Sequence, residues 1–166
     1  VETAMSNNDV NLFSSKDKSN DAGYATRLAY NNISYLDADT SSGWSLASQL
    51  SAEYADKFFQ PIERYRNVEF ERDWNLGTTN IQNEEIAGTV QTTLSKINVG
   101  SINYQIKSYQ KGDEYKGLMN SAKAQFSISN FKVNAYGSYL NTKGLSTKTN
   151  FLRHGVEIAK PIWKLV

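Results

Sequence analysis

Residues 83–96 read NEEIAGTVQTTLSK, and this stretch decides the fold. Ile86, Gly88, Val90, Thr92 and Leu94 fall on one parity; Glu85, Ala87, Thr89, Gln91, Thr93 and Ser95 fall on the other. Successive side chains of an extended chain point to opposite faces, so this period of two describes a strand with one apolar face and one polar face. The run is also long. Strands of soluble proteins average about 5–6 residues, whereas a strand tilted across a bilayer needs roughly 9–11.

The alternation recurs outward in both directions and predicts strands over 23–36, 43–58, 83–96, 99–110, 117–128, 131–141 and 147–160. Turn chemistry separates them: Asp37 to Gly43, Lys111-Gly112-Asp113, the two-residue Ser129-Asn130, and Asn141-Thr142-Lys143-Gly144. Only 59–82 is a long connection. Leu46, Leu50, Tyr54 and Phe58 also recur at a spacing of four, which leaves a helix open over 44–58. Residues 1–22, rich in Asn, Asp, Ser and Lys, read as a polar arm or loop with a short strand near Val10 to Phe13, and 23–166 as an antiparallel up-and-down meander.

The parities assign faces. Ile102, Tyr104, Ile106, Ala122, Ala124, Phe126, Val133 and Ala135 are expected on one surface, and Asn103, Gln105, Lys107, Lys123, Gln125, Lys132 and Asn134 on the opposite one. A polar inner surface, an apolar outer band and Tyr as the commonest aromatic, with 10 copies, fit an outer-membrane β-barrel. A soluble β-sandwich binding module, using exposed Trp and Tyr to hold glycans, alternates in the same way. Ser48, Thr92 and Asn120 in apolar registers keep that alternative open.

Composition narrows the function classes. With 18 Lys and Arg against 17 acids and a net charge of +1, there is no basic stripe for nucleic acid. The lack of Cys removes disulfides, thiolate metal sites and cysteine nucleophiles together. His154 is the only His, so no His-based metal cluster forms within the chain. Neither a cofactor nor a catalytic set is expected. The first residues, VETAMSNNDV, carry no initiator Met and no signal peptide, and Trp163-Lys164-Leu165-Val166 opens a further alternating run. The chain is therefore expected to be a piece of a larger barrel.

One charged constellation invites chemistry. If 63–73 is extended, Glu69, Glu71 and Asp73 share one face, with Phe70, Arg72 and Trp74 on the other. Aligned carboxylates suit Ca²⁺ or paired acid–base work, while Arg64, Arg66 and Arg72 neutralising the acids would make a surface or lumen patch instead. Asp37-Ala38-Asp39 lacks a full calcium-loop pattern and reads as a turn. As a binding surface the 59–82 segment rests on Arg64, Arg66, Glu69, Glu71, Arg72, Asp73 and Trp74.

FFQPIERYRNVEFERDWN at 58–75, with SSKDKSNDAGYATR at 14–27, YQKGDEYKGL at 109–118 and TNFLRHGVEIAK at 149–160, resembles large outer-membrane β-barrel proteins of Bacteroidota. The resemblance implies a bacterial outer-membrane location and a structural role as pore wall or docking surface in transport, secretion or motility. The partners it implies are the lipid bilayer and other envelope proteins. It transfers no catalytic residue.

Overall fold

The computed structural model describes residues 1–9, 21–38, 43–63, 65–76, 82–145 and 147–160. Eight strands form one sheet: β1 (Glu2–Asn7), β2 (Ala22–Tyr35), β3 (Trp44–Ala55), β4 (Glu85–Lys96), β5 (Gly100–Lys111), β6 (Tyr115–Ile128), β7 (Phe131–Gly144) and β8 (Lys148–Ala159). Their spatial order is their sequence order, and every neighbouring pair is antiparallel. The all-β meander expected from the alternation is what forms. The sheet is open, with β1 and β8 at its edges.

Residues 44–55 are a strand, not a helix, because each partner across β2 and β4 keeps the same parity: Leu46 faces Leu94, Leu50 faces Val90, and Ala52 faces Gly88. Two expectations need correction. Residues 2–7 of the supposed polar arm pair with 22–27 as β1, while the short strand expected near Val10 to Phe13 lies outside the described residues. Asn141 to Gly144 is not a turn but the end of β7. Asn141 bonds Asn150 at 2.6 Å and Thr142 bonds Thr149 at 2.6 Å, and these cross-strand pairs carry β7 three residues past its expected end at 141 before the chain reverses. The Ser129-Asn130 hairpin forms as read, with Ser129 at φ 55 supplying the left-handed turn.

The register sorts the side chains without a slip. Ile102 pairs with Ala124, which pairs with Ala135; Tyr104 pairs with Ala122; and Phe126 pairs with Val133, so the predicted apolar set shares one face. Asn103 with Lys123, and Gln125 with Asn134, share the other. The polar residue Asn120 sits in the apolar register, where its Oδ1 accepts from Tyr104 Oη at 3.0 Å. On the polar face side chains bond across the strands, Gln105 to Gln91 and Asn103 to Thr93, both at 2.7 Å.

Among the described residues no helix is long and apolar enough to cross a membrane. What is unusual is the apolar face. Leu50, Val90, Ile102 and Tyr104 lie mid-strand inside the sheet yet are 46%, 47%, 44% and 47% exposed. The buried apolar residues among those described are few: Ala55, Trp74, Tyr109, Tyr115 and Leu140, all on the polar face or the connection that covers it.

Candidate functional site

The connection 56–84, which contains the segment 59–82 expected to be functional, lays its described residues across the polar face from β1 to β8. It leaves β3 through Asp56, whose Oδ1 accepts the Phe58 N–H at 2.8 Å, and then passes over β2 and β1. Gly23 is the residue beneath it, since a Cβ there would collide with the Phe58–Phe59 backbone. Gln60 N–H donates to Ser6 Oγ of β1 at 2.9 Å. At the far side Asn75 Nδ2 donates to Thr149 Oγ1 of β8 at 3.2 Å.

Between these ends the segment makes a single helical turn, α1 (Phe70–Asp73). This corrects the extended reading of 63–73. An extended chain would keep Arg72 on the side of Phe70 and Trp74, whereas one turn of helix holds the two residues four apart on one side and turns Arg72 out to solvent. Phe70 and Trp74 therefore both pack onto the sheet. Their target is an apolar island on the polar face, formed by Tyr109, Tyr115, Leu140, Met119 and Ala87. Phe70 meets Tyr109 edge-on at 4.9 Å between ring centroids, and Trp74 lies 5.6 Å from the same ring. Tyr115 Oη donates to the Trp74 carbonyl. Gly117 makes room, as a Cβ there would stand 2.8 Å from Trp74 Cε3.

The electrostatics fit this docking. Glu2, Arg27 and Glu53 face one another across β1, β2 and β3 on the polar face, and Glu85 faces Lys111 across β4 and β5. Arg66 inserts between the two groups, 2.8 Å from Glu53 Oε2 and 3.4 Å from Glu85 Oε2. Arg27 lies 3.4 Å from Glu53 and Lys111 3.9 Å from Glu85, completing a line of alternating charge. The Arg66 guanidinium also lies 4.7 Å from the Tyr65 and Phe70 ring centroids. At side-chain exposures of 17% for Arg66, 28% for Glu53 and 20% for Glu85, these pairs are less screened than surface ones.

The predicted site residues thus separate. Arg66 and Trp74 anchor the segment. Arg72 bonds Glu69 at 2.7 Å and lies 3.6 Å from Asp73, an exposed local cluster of the kind that adds little stability. Glu69, Glu71 and Asp73 do not line one face, and among the described residues no group of three metal-ligating side chains occurs. Arg64 lies outside the described residues. Glu53, Tyr65, Glu85, Tyr109, Tyr115 and Gly117 were not anticipated. The signal was present for some of them, because Tyr109, Met119 and Leu140 are apolar intrusions in a polar register.

Tyr65 gives the docked segment a pH limit. Its hydroxyl donates to Glu85 Oε2 at 3.0 Å. Partial burial pushes the phenol above its usual value of 10.0, Arg66 pulls it down, and the Glu85 carboxylate pushes it up. A raised pKa means that the neutral phenol is favoured in the docked state. Its contribution is full below pH 10 and is lost as pH rises through the folded value. Trp74 emission is expected to hold constant up to pH 10 and shift to the red above it, and Tyr65→Phe should remove that part of the shift.

No family model, curated protein or solved structure matches this chain.

Proposed function

We propose that the chain forms part of the wall of a bacterial outer-membrane β-barrel, with its apolar face against lipid, its polar face toward a water-filled lumen and the 56–84 connection folded inward as a constriction and docking surface. The observation that carries this reading is the half-exposed apolar face across β2 to β8, with no second sheet over it among the described residues. Isolated exposed apolar residues are ordinary, but a contiguous apolar face of this extent calls for an apolar neighbour.

Dimensions support lipid as that neighbour. From Leu118 to Ile128 the outward positions of β6 run ten residues. That is about 33 Å at about 3.3 Å per residue, or about 25 Å of height at a tilt near 40°, the thickness of the apolar band on such barrels. The two longest connections, 8–21 and 56–84, share one end of the sheet with the short connections 112–114 and 145–147, and 36–43, 97–99 and 129–130 lie at the other. Long loops mark the outer side and short turns the periplasmic side of these barrels, so the 56–84 end faces outward.

The inward segment also bears on size. A barrel of about eight strands has an interior just wide enough for its own side chains. A wall that accommodates a whole connection carrying Phe70 and Trp74 belongs to a wider barrel, in which β1 and β8 pair with further strands. In this reading the protein is a scaffold for passage or docking in transport, secretion or motility, and not an enzyme. Dilution of the denatured chain from urea is expected to give aggregate in buffer but vesicle-associated β-structure in the presence of phosphatidylcholine. Monodisperse, lipid-free β-protein in buffer would contradict the proposal.

A further inference from the structure

On the apolar face at the loop end, Lys116 of β6 pairs with Lys143 of β7, which pairs with Lys148 of β8. Three like charges on three consecutive strands stand side by side, a placement that destabilises a sheet unless an anion offsets it. All three side chains are exposed. Lys116 has one acid, Asp113 of the adjoining hairpin, at 4.0 Å, but that carboxylate is fully exposed. Among the described residues no carboxylate comes within ion-pair distance of Lys143 or Lys148. The opposite rim of the same face is built differently. There the Lys96 ammonium lies 5.8 Å from the Trp44 ring centroid and the Lys160 ammonium 5.0 Å from that of Phe131.

The position of the row identifies its complement. It lies one outward position beyond Leu118, where the apolar band of β6 ends, so its ammonium groups stand at the level where acyl chains give way to headgroups. We propose that Lys116, Lys143 and Lys148 form a docking strip for phosphorylated lipid headgroups in the leaflet at the loop end of the sheet. The inference rests on the membrane-wall reading above. Charge complementarity selects the occupant, since three adjacent cations beside an apolar band match a molecule with phosphate at one end and hydrocarbon at the other.

The test uses spin-labelled lipids with the protein reconstituted in phosphatidylcholine vesicles. The motionally restricted fraction of a phosphatidic-acid label is expected to exceed that of a phosphatidylcholine label, by up to about fivefold for each lysine engaged. Lys116→Gln, Lys143→Gln and Lys148→Gln together should bring the ratio close to one and leave the restricted phosphatidylcholine fraction unchanged. Lys107→Gln, Lys123→Gln and Lys132→Gln on the polar face should not alter it. Selectivity that survives the first triple substitution, or is absent from the wild type, overturns the strip while restricted phosphatidylcholine still upholds the membrane wall. Restriction of neither label overturns both. Loss of selectivity to inorganic phosphate, but not to chloride at equal ionic strength, would show a free-phosphate site and also overturn the lipid assignment.

Discussion

Trp74→Ala is expected to release the 56–84 connection from the polar face while the eight strands stay paired. Trp74 is 5% exposed and is the centre of the apolar island, in contact with Tyr109 and capped by the Tyr115 hydroxyl. Truncating a buried Trp removes about 3–5 kcal/mol. The T-shaped Phe70–Tyr109 contact adds only about 0.5–1.5 kcal/mol beyond its buried area, and ordering the connection costs about 1–2 kcal/mol for each residue fixed. The Arg66 pairs with Glu53 and Glu85 remain, so the release is expected to start around Trp74 and to be opposed at Arg66. Limited proteolysis should cut between 59 and 76 in the variant and spare those bonds in the parent. Gly117→Val is an independent route to the same state, since its side chain would occupy the space of the Trp74 ring. Conductance of a barrel carrying either substitution should rise. Unchanged protection in both variants would mean that the segment is held by something other than this island.

The second large effect belongs to the apolar face. Val90→Arg should destabilise the lipid-inserted protein by about 2–4 kcal/mol, the cost of a cation at the midplane on the lipid side of a barrel. Val90 pairs with Leu50 and Ile106 in the middle of the face, far from either rim. Gln91→Arg, one residue on, turns its charge to the polar face and should cost only about 0.5–1.5 kcal/mol, the loss of its bond with Gln105. Denaturant titration of the two variants in vesicles separates them. Equal costs at 90 and 91 would remove the distinction between lipid side and lumen side.

How much of this was legible in the residues depends on range. Alternation is local, and it located β2 through β8 and both faces, because a single slip would have put Ile102 and Tyr104 on the polar side. β1 escaped because Glu2 to Asn7 is short and mostly polar, and only its pairing with 22–27 makes it a strand. Asn141 to Gly144 has turn composition, and cross-strand bonds from Asn141 and Thr142 overrode it. Arg66 could not be assigned from its neighbours in sequence, since its partners Glu53 and Glu85 lie on separate strands 13 and 19 residues away. The acid triplet failed for a local reason, one turn of helix in place of an extended run. Tyr109, Met119 and Leu140 broke the polar parity, and each break marked where the connection lands.

The central claim, lipid on one face and water on the other, is most directly tested along β5. The chain has no Cys, so a single cysteine at each of 102 to 107 carries a unique spin label in membranes. Collision with oxygen should peak at 102, 104 and 106, and collision with a water-soluble nickel chelate at 103, 105 and 107, a period of two in opposite phase. Water access at all six positions, or loss of the alternation, would contradict the account.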